Sequence, residues 1–354
     1  MESAMSDQQV TLTALFKQAG TAMRIYDLGR RIRAFSADEF ERIETQATPY
    51  PTPYLQHAWI ALLLWNPKSA DENAVWFLKL PLDEQGFLLS AVRDDIVNRL
   101  LQNVQSSIDG VPTEDSLKEN PFAFKPSDEK MALFHAKAAL DNHQSASAYY
   151  EPVQQFISQP KLDTGWENLS LQGLADFVVR LEQANNESTL VGALDQLPEG
   201  LHAQVLGLLE HAKPDSDLSE KLLQQLTDAL SDNKDPVLIS LLIRALSSAK
   251  TQRHTHQAID AVLHSQAAQS AELLAAIATR CENALLEPAL LTRFLEALAQ
   301  CDAGQNAFSR ILADLMYLPV HRVLMVQALR SASVSDALKQ ATDQMFGPHF
   351  RQPQ

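Results

Sequence analysis

Apolar residues in the stretch 235–249, DPVLISLLIRALSSA, recur at three- and four-residue steps: Val237, Leu238, Leu241, Leu242, Ala245 and Leu246. That period gathers them on one wide face of an α-helix. Asp235 suits the N-cap and Pro236 the first helical position, where the missing N–H has no partner to lose. The same pattern returns at 199–211, 270–282 and 305–317. Setting Glu199, Pro236, Ser270 and Gln305 in register gives steps of 37, 34 and 35 residues. Leu206, Ile243, Ile277 and Leu312 then coincide, as do Val205, Leu242, Ala276 and Ile311. Partner helices are predicted at 218–230, 255–264, 288–300 and 320–331, and a first helix of the series at 169–182.

Two helices recurring about every 35 residues predict an α-solenoid, in which each unit buries its apolar face on the next. The array resembles degenerate HEAT or armadillo repeats, which run slightly longer. Tetratricopeptide repeats match the period, but their W-x-x-L-G-x-x-Y pattern is absent. An irregular helical bundle is the competing fold.

The first half is patterned differently. Helices are predicted at 11–18, at 37–45 behind a Ser36/Glu39 capping box, at 87–108 with Val92 and Ile96 on one side, at 127–140 and at 145–158. Alternation at 23–28 suits a short strand. The runs 57–65 and 74–80 predict a β-hairpin, with the turn formers of 66–73 as its loop. Residues 1–10 are expected to fray, 110–126 to form a loop and 161–168 a linker. All four tryptophans and five of the six tyrosines precede residue 168, while Ala and Leu dominate afterwards. The chain is therefore divided into an aromatic-rich α+β domain (1–165), a helical repeat array (166–347) and a tail (348–354).

Composition narrows the function. The 11 glycines never fall within five positions of one another, which excludes G-x-G-x-x-G and P-loop phosphate cradles. A net charge of −15 disfavours nucleic acid and anionic membrane as partners. The longest apolar run, 58–65, is too short to cross a bilayer. No signal sequence precedes the first helix, so the cytoplasm is the expected compartment. Cys281 and Cys301 read as small buried hydrophobes. No cofactor is implied, and no metal site: on a helix His254 and His256 would point roughly 200° apart.

Several phrases of the first half carry a family resemblance: Asp27-Leu28-Gly29-Arg30-Arg31, Gln56-His57-Ala58-Trp59, WFLKLPLDEQG from Trp76 to Gly86, and NPFAFKPS from Asn120 to Ser127. Together they resemble an uncharacterised gammaproteobacterial family of about 340 residues. The resemblance implies a cytoplasmic bacterial protein and carries over no functional residue.

Two groups of residues stand out as candidate sites. Arg24, Arg30, Arg31 and Arg33 concentrate positive charge in an acidic chain, and guanidinium forks suit an anion or a partner's carboxylates. Pairing with Asp27, Asp38 and Glu39 within the fold is the alternative. Trp59, Trp76, Lys79, Asp83 and Glu84 could line a small-ligand or acid–base pocket, or simply form a strand with a solvated turn. The leading expectation is a non-enzymatic scaffold or adaptor holding a basic or apolar segment of a partner protein. An enzyme or ligand binder with its site in the first domain is the alternative, and a homodimer a third.

Overall fold

The computed structural model describes residues 11–108, 120–159 and 165–350. The start expected to fray, most of the loop at 110–126, part of the linker at 161–168 and the end of the tail lie outside them. Two compact units result: one runs to Pro126 and includes Tyr317–Pro319, and the other takes the chain from Ser127 to Met316 and from Val320 on. The compositional boundary near residue 165 falls inside the second unit. No helix among the described residues is long and apolar enough to cross a membrane.

In the first unit, α1 (Leu12–Gln18), β1 (Ala22–Asp27), β2 (Arg33–Phe35), α2 (Ala37–Glu44), β3 (His57–Asn66), β4 (Ser69–Pro81) and α3 (Ser90–Ile108) follow in order. Ser36 caps α2, its Oγ accepting the Glu39 N–H at 3.1 Å, while the Glu39 carboxylate pairs with Arg33. The strands make one antiparallel sheet in the order β2-β1-β3-β4. Ile25, Ala58, Ile60, Leu62, Leu78 and Leu80 alternate onto one face, where Leu12, Phe40, Ile43, Leu88, Val92 and Ile96 of the helices and loops complete a core.

The hairpin is real but tighter than its sequence suggests. Only Pro67 and Lys68 separate β3 from β4, and residues 69–73 belong to the strand. A register shift between Trp65, which pairs with Asn73, and Asn66, which pairs with Ser69, takes up the residues between them in β4. The three-residue β2 is too short to show a period. Its Phe35 is buried against Phe40 and Tyr50, with ring centroids 6.4 and 5.6 Å away.

The second unit is helical: α4 (Asp128–Asp141), α5 (Tyr150–Ser158), α6 (Leu171–Val179), α7 (Asn186–Ala193), α8 (Glu199–Leu209), α9 (Ser216–Ser231), α10 (Pro236–Leu246), α11 (Gln252–Leu263), α12 (Ala271–Arg280), α13 (Pro288–Ala299), α14 (Gly304–Met316), α15 (Pro319–Leu329) and α16 (Asp336–Phe346). They stack in two rows. One runs α4, α6, α8, α10, α12, α14, each packed on the next; the other runs α5, α7, α9, α11, α13, α16. The aligned residues Leu206, Ile243, Ile277 and Leu312 are all fully buried. Asp235 Oδ1 accepts the Val237 N–H at 2.8 Å, with Pro236 opening α10.

Three details depart from the pattern. Helix α5 starts at Tyr150 rather than 145, because the Ser147 N–H is taken at 3.2 Å by Asp176 of α6. Helix α7 hides behind polar residues, since its buried Asn186 and Glu187 are satisfied by the Arg180 carbonyl (2.9 Å) and the Asp215 N–H (2.6 Å). The partner of α14 is α16, not α15: Val320 and Val323 of α15 are exposed, whereas Leu338 and Ala341 of α16 are buried. Gly173 permits close approach of α5 to α6, because a Cβ there would stand 2.3 Å from the Tyr149 carbonyl oxygen.

Candidate functional site

In the first unit the charged residues turn inward, onto the backbone. Asp27 is buried, with Oδ1 accepting the Gly29 N–H at 2.8 Å and Oδ2 accepting the Thr52 hydroxyl. Burial pushes its carboxyl above the ordinary range, against these hydrogen bonds. Arg30 is the largest fully buried side chain; its Nε donates to the Pro53 carbonyl at 2.8 Å and its guanidinium lies 5.8 Å from the centre of the Tyr54 ring. The phrase from Asp27 to Arg31 therefore ties the end of β1 to the proline-rich loop ahead of β3. Glu44 closes α1 in the same manner, accepting the Leu12 and Thr13 N–H groups at 2.7 and 3.1 Å.

The four arginines differ in burial and in partners. Arg33 is exposed, pairs with Glu39 at 2.9 Å and covers the Phe35 ring. Arg24 and Arg31 are half-buried, and Arg30 is inside. The second group is also divided. Trp59 and Lys79 are cross-strand partners, with the ammonium 4.6 Å from the ring centre. Trp76 pairs with Leu62, three residues from Trp59, so the two-residue period places the tryptophans on opposite faces. Trp76 instead meets Phe16 of α1. Asp83 Oδ1 accepts the Gln85 and Phe87 N–H groups at 2.8 and 2.9 Å, which fixes the turn after β4. Phe124 packs edge-on against Trp59 at 4.9 Å, and its N–H donates to the Phe77 carbonyl. The familiar phrases thus converge, but as the brace of the sheet.

A different arrangement appears in the second unit. A cavity of about 540 Å³ opens across the row of α4, α6, α8, α10 and α12. Leu133, Leu169, Leu171, Ala203 and Leu241 give it apolar walls, and Gly207 leaves one side bare. At its charged end sit Glu210, His211, Arg244 and Arg280, with Glu129 and Lys130 at the start of α4. The two arginines come from the last turns of α10 and α12, where carbonyl ends favour a cation.

Glu210 is the hub of that end. Its Oε1 accepts the His211 Nε2–H at 2.8 Å, and its Oε2 accepts Nε of Arg244 at 2.5 Å and of Arg280 at 3.2 Å. Glu210 and His211 are buried, while Arg244 keeps about a third of its side chain exposed. Burial pushes the imidazole down, against its bond to Glu210, so His211 is neutral near pH 7. Burial would also raise the Glu210 carboxyl. The hydrogen bond from His211 and the charges of Arg280 and Arg244 outweigh it and hold that carboxyl well below the usual carboxylate range. With His211 neutral, one carboxylate faces two guanidiniums.

Arg244 binds Glu210 through Nε alone, and among the described residues its terminal amino groups make no hydrogen bond. That side of the cavity can receive an oxyanion. This recess thus places guanidinium groups at a cavity in a chain of net charge −15. None of these residues stood out in the sequence, because Arg244 and Arg280 lie 34 and 70 residues from Glu210. Their shared place at the ends of repeat helices is the one signal that could have found them.

The fold and the cavity define a two-unit, mainly helical protein with a charged recess in its helix stack. The chain belongs to the DUF3549 family, a protein family of unknown function whose profile matches residues 7–346. No curated protein and no solved structure matches it.

Proposed function

We propose that this protein is a non-enzymatic binding module. Its stacked helix pairs act as a HEAT- or armadillo-like array, and the row from α4 to α14 holds a segment of a partner protein. The observation that carries this is the cavity itself. It crosses five helices of one row and joins leucine walls to a fixed arginine pair, a combination that suits an anchoring side chain or chain end. The open guanidinium of Arg244 favours an acidic-apolar segment over a basic one. An enzyme or ligand site in the first unit has less support, because Trp59 and Trp76 stand on opposite faces of the sheet and Asp83 is committed to a turn. The resemblance noted above makes the cytoplasm the place to look for the partner.

The test is cross-linking of the tagged full chain in lysate, with the captured segment mapped at low and moderate salt. A stoichiometric partner joined through an acidic-apolar segment and lost on Arg244→Glu supports the module. A partner held equally well by the Arg244→Glu chain contradicts it.

A further inference from the structure

We infer that the cavity is a carboxylate site: Arg244, set by Glu210, receives one carboxylate group, and Leu133, Leu169 and Leu241 receive the apolar part of the same ligand. This deepens the binding-module proposal and rests on it only for the identity of the ligand's carrier.

Three observations lead to that ligand class. First, one guanidinium is open to an anion. Arg244 is held on Glu210 through Nε, and among the described residues its terminal amino groups make no hydrogen bond. Second, the donor geometry suits a planar acceptor. Glu210 is held from one side by His211 and takes both Nε atoms on its other oxygen, so it acts as a positioning residue that fixes the Arg244 fork, while Arg280 Nη1 donates to the Thr279 carbonyl at 3.3 Å. A planar guanidinium matches a carboxylate in bidentate fashion. Third, about 540 Å³ is far more than a lone ion occupies and lies within the range of organic-ligand sites. The leucine walls require an apolar group attached to the acid.

Two sources offer this chemistry: the C-terminal end of a protein chain with an apolar last residue, or a free organic acid. Calorimetric titration of the full chain separates them. The probes are hexanoate, hexanamide, inorganic phosphate, and acetyl-leucyl-leucine with either a free or an amidated C-terminus.

Hexanoate is expected to bind, with hexanamide and phosphate each at least about tenfold weaker. Tighter binding of the free-terminus peptide than of hexanoate assigns the site to chain ends, and the reverse order assigns it to free acids. Arg244→Met should weaken hexanoate by about tenfold or more while keeping the apolar stem. Gly207→Leu should exclude it by filling the cavity with every charge in place. The space for that side chain exists, since a Cβ at Gly207 meets only Leu241 Cδ2, at 3.8 Å. Equal binding of hexanoate and hexanamide, tighter binding of phosphate, or no heat from any carboxylate at millimolar concentration would overturn the inference. Loss of carboxylate binding with a partner still dependent on Arg244 removes the inference and leaves the module. Carboxylate binding without any partner does the opposite.

Discussion

The two units use buried charge in opposite ways. In the first, Asp27, Arg30 and Glu44 each serve backbone groups: a turn N–H, a loop carbonyl, the open start of a short helix. Such groups replace hydrogen bonds that water would otherwise supply, so their work is finished within the fold. In the second, Glu210 binds two charged side chains and a neutral imidazole beside open space. In that cluster the terminal amino groups of Arg244 make no hydrogen bond among the described residues. Charge spent on the backbone is architecture. Charge left over at a cavity is chemistry waiting for a ligand.

The most damaging way to break this contrast is Glu210→Ala, which leaves two guanidiniums facing each other. Loss of a buried partner predicts a cost of about 3 kcal/mol, seen as a lower urea midpoint. The effect should depend on pH with a definite sign. Because the folded carboxyl is held far below its ordinary value of 4.5, its stabilisation is fully present above that value and is lost as the pH falls below it. The gap between the native chain and the variant should stay constant from neutrality to about pH 5 and then narrow. A gap that is flat to pH 3 would show that Glu210 is not the ionised hub.

At the small end, Arg33→Ala removes an exposed pair with Glu39 and should change stability by less than about 0.5 kcal/mol. A loss above about 1 kcal/mol by the same unfolding assay would make Arg33 part of the architecture after all.

How much of this was legible in the chain follows the same division. Helices α8 to α14 were readable because Leu206, Ile243, Ile277 and Leu312 repeat a strong local period and are all buried. Helix α7 and strand β2 were not, because Asn186, Glu187 and Phe35 owe their places to distant partners rather than to neighbours in sequence. The arginines from Arg24 to Arg33 were conspicuous for being close in sequence. The fold then turned Arg30 inward and Arg33 outward, so closeness in sequence did not become equal exposure. Arg244 and Arg280 were inconspicuous because each resembles an ordinary helix-ending cation. Only the stacking of α8, α10 and α12 brings them to one carboxylate.

The most direct test of the contrast compares Arg30→Met with Arg244→Met in urea unfolding of the full chain. Methionine keeps much of the apolar stem in both positions and removes the charge. Arg30→Met should cost about 2 kcal/mol, because a buried carbonyl loses its donor. Arg244→Met should cost no more than about 1 kcal/mol, since about a third of that side chain is exposed and Glu210 retains Arg280 and His211. Equal losses at the two positions would contradict the account, by making the arginine at the cavity one more structural tether.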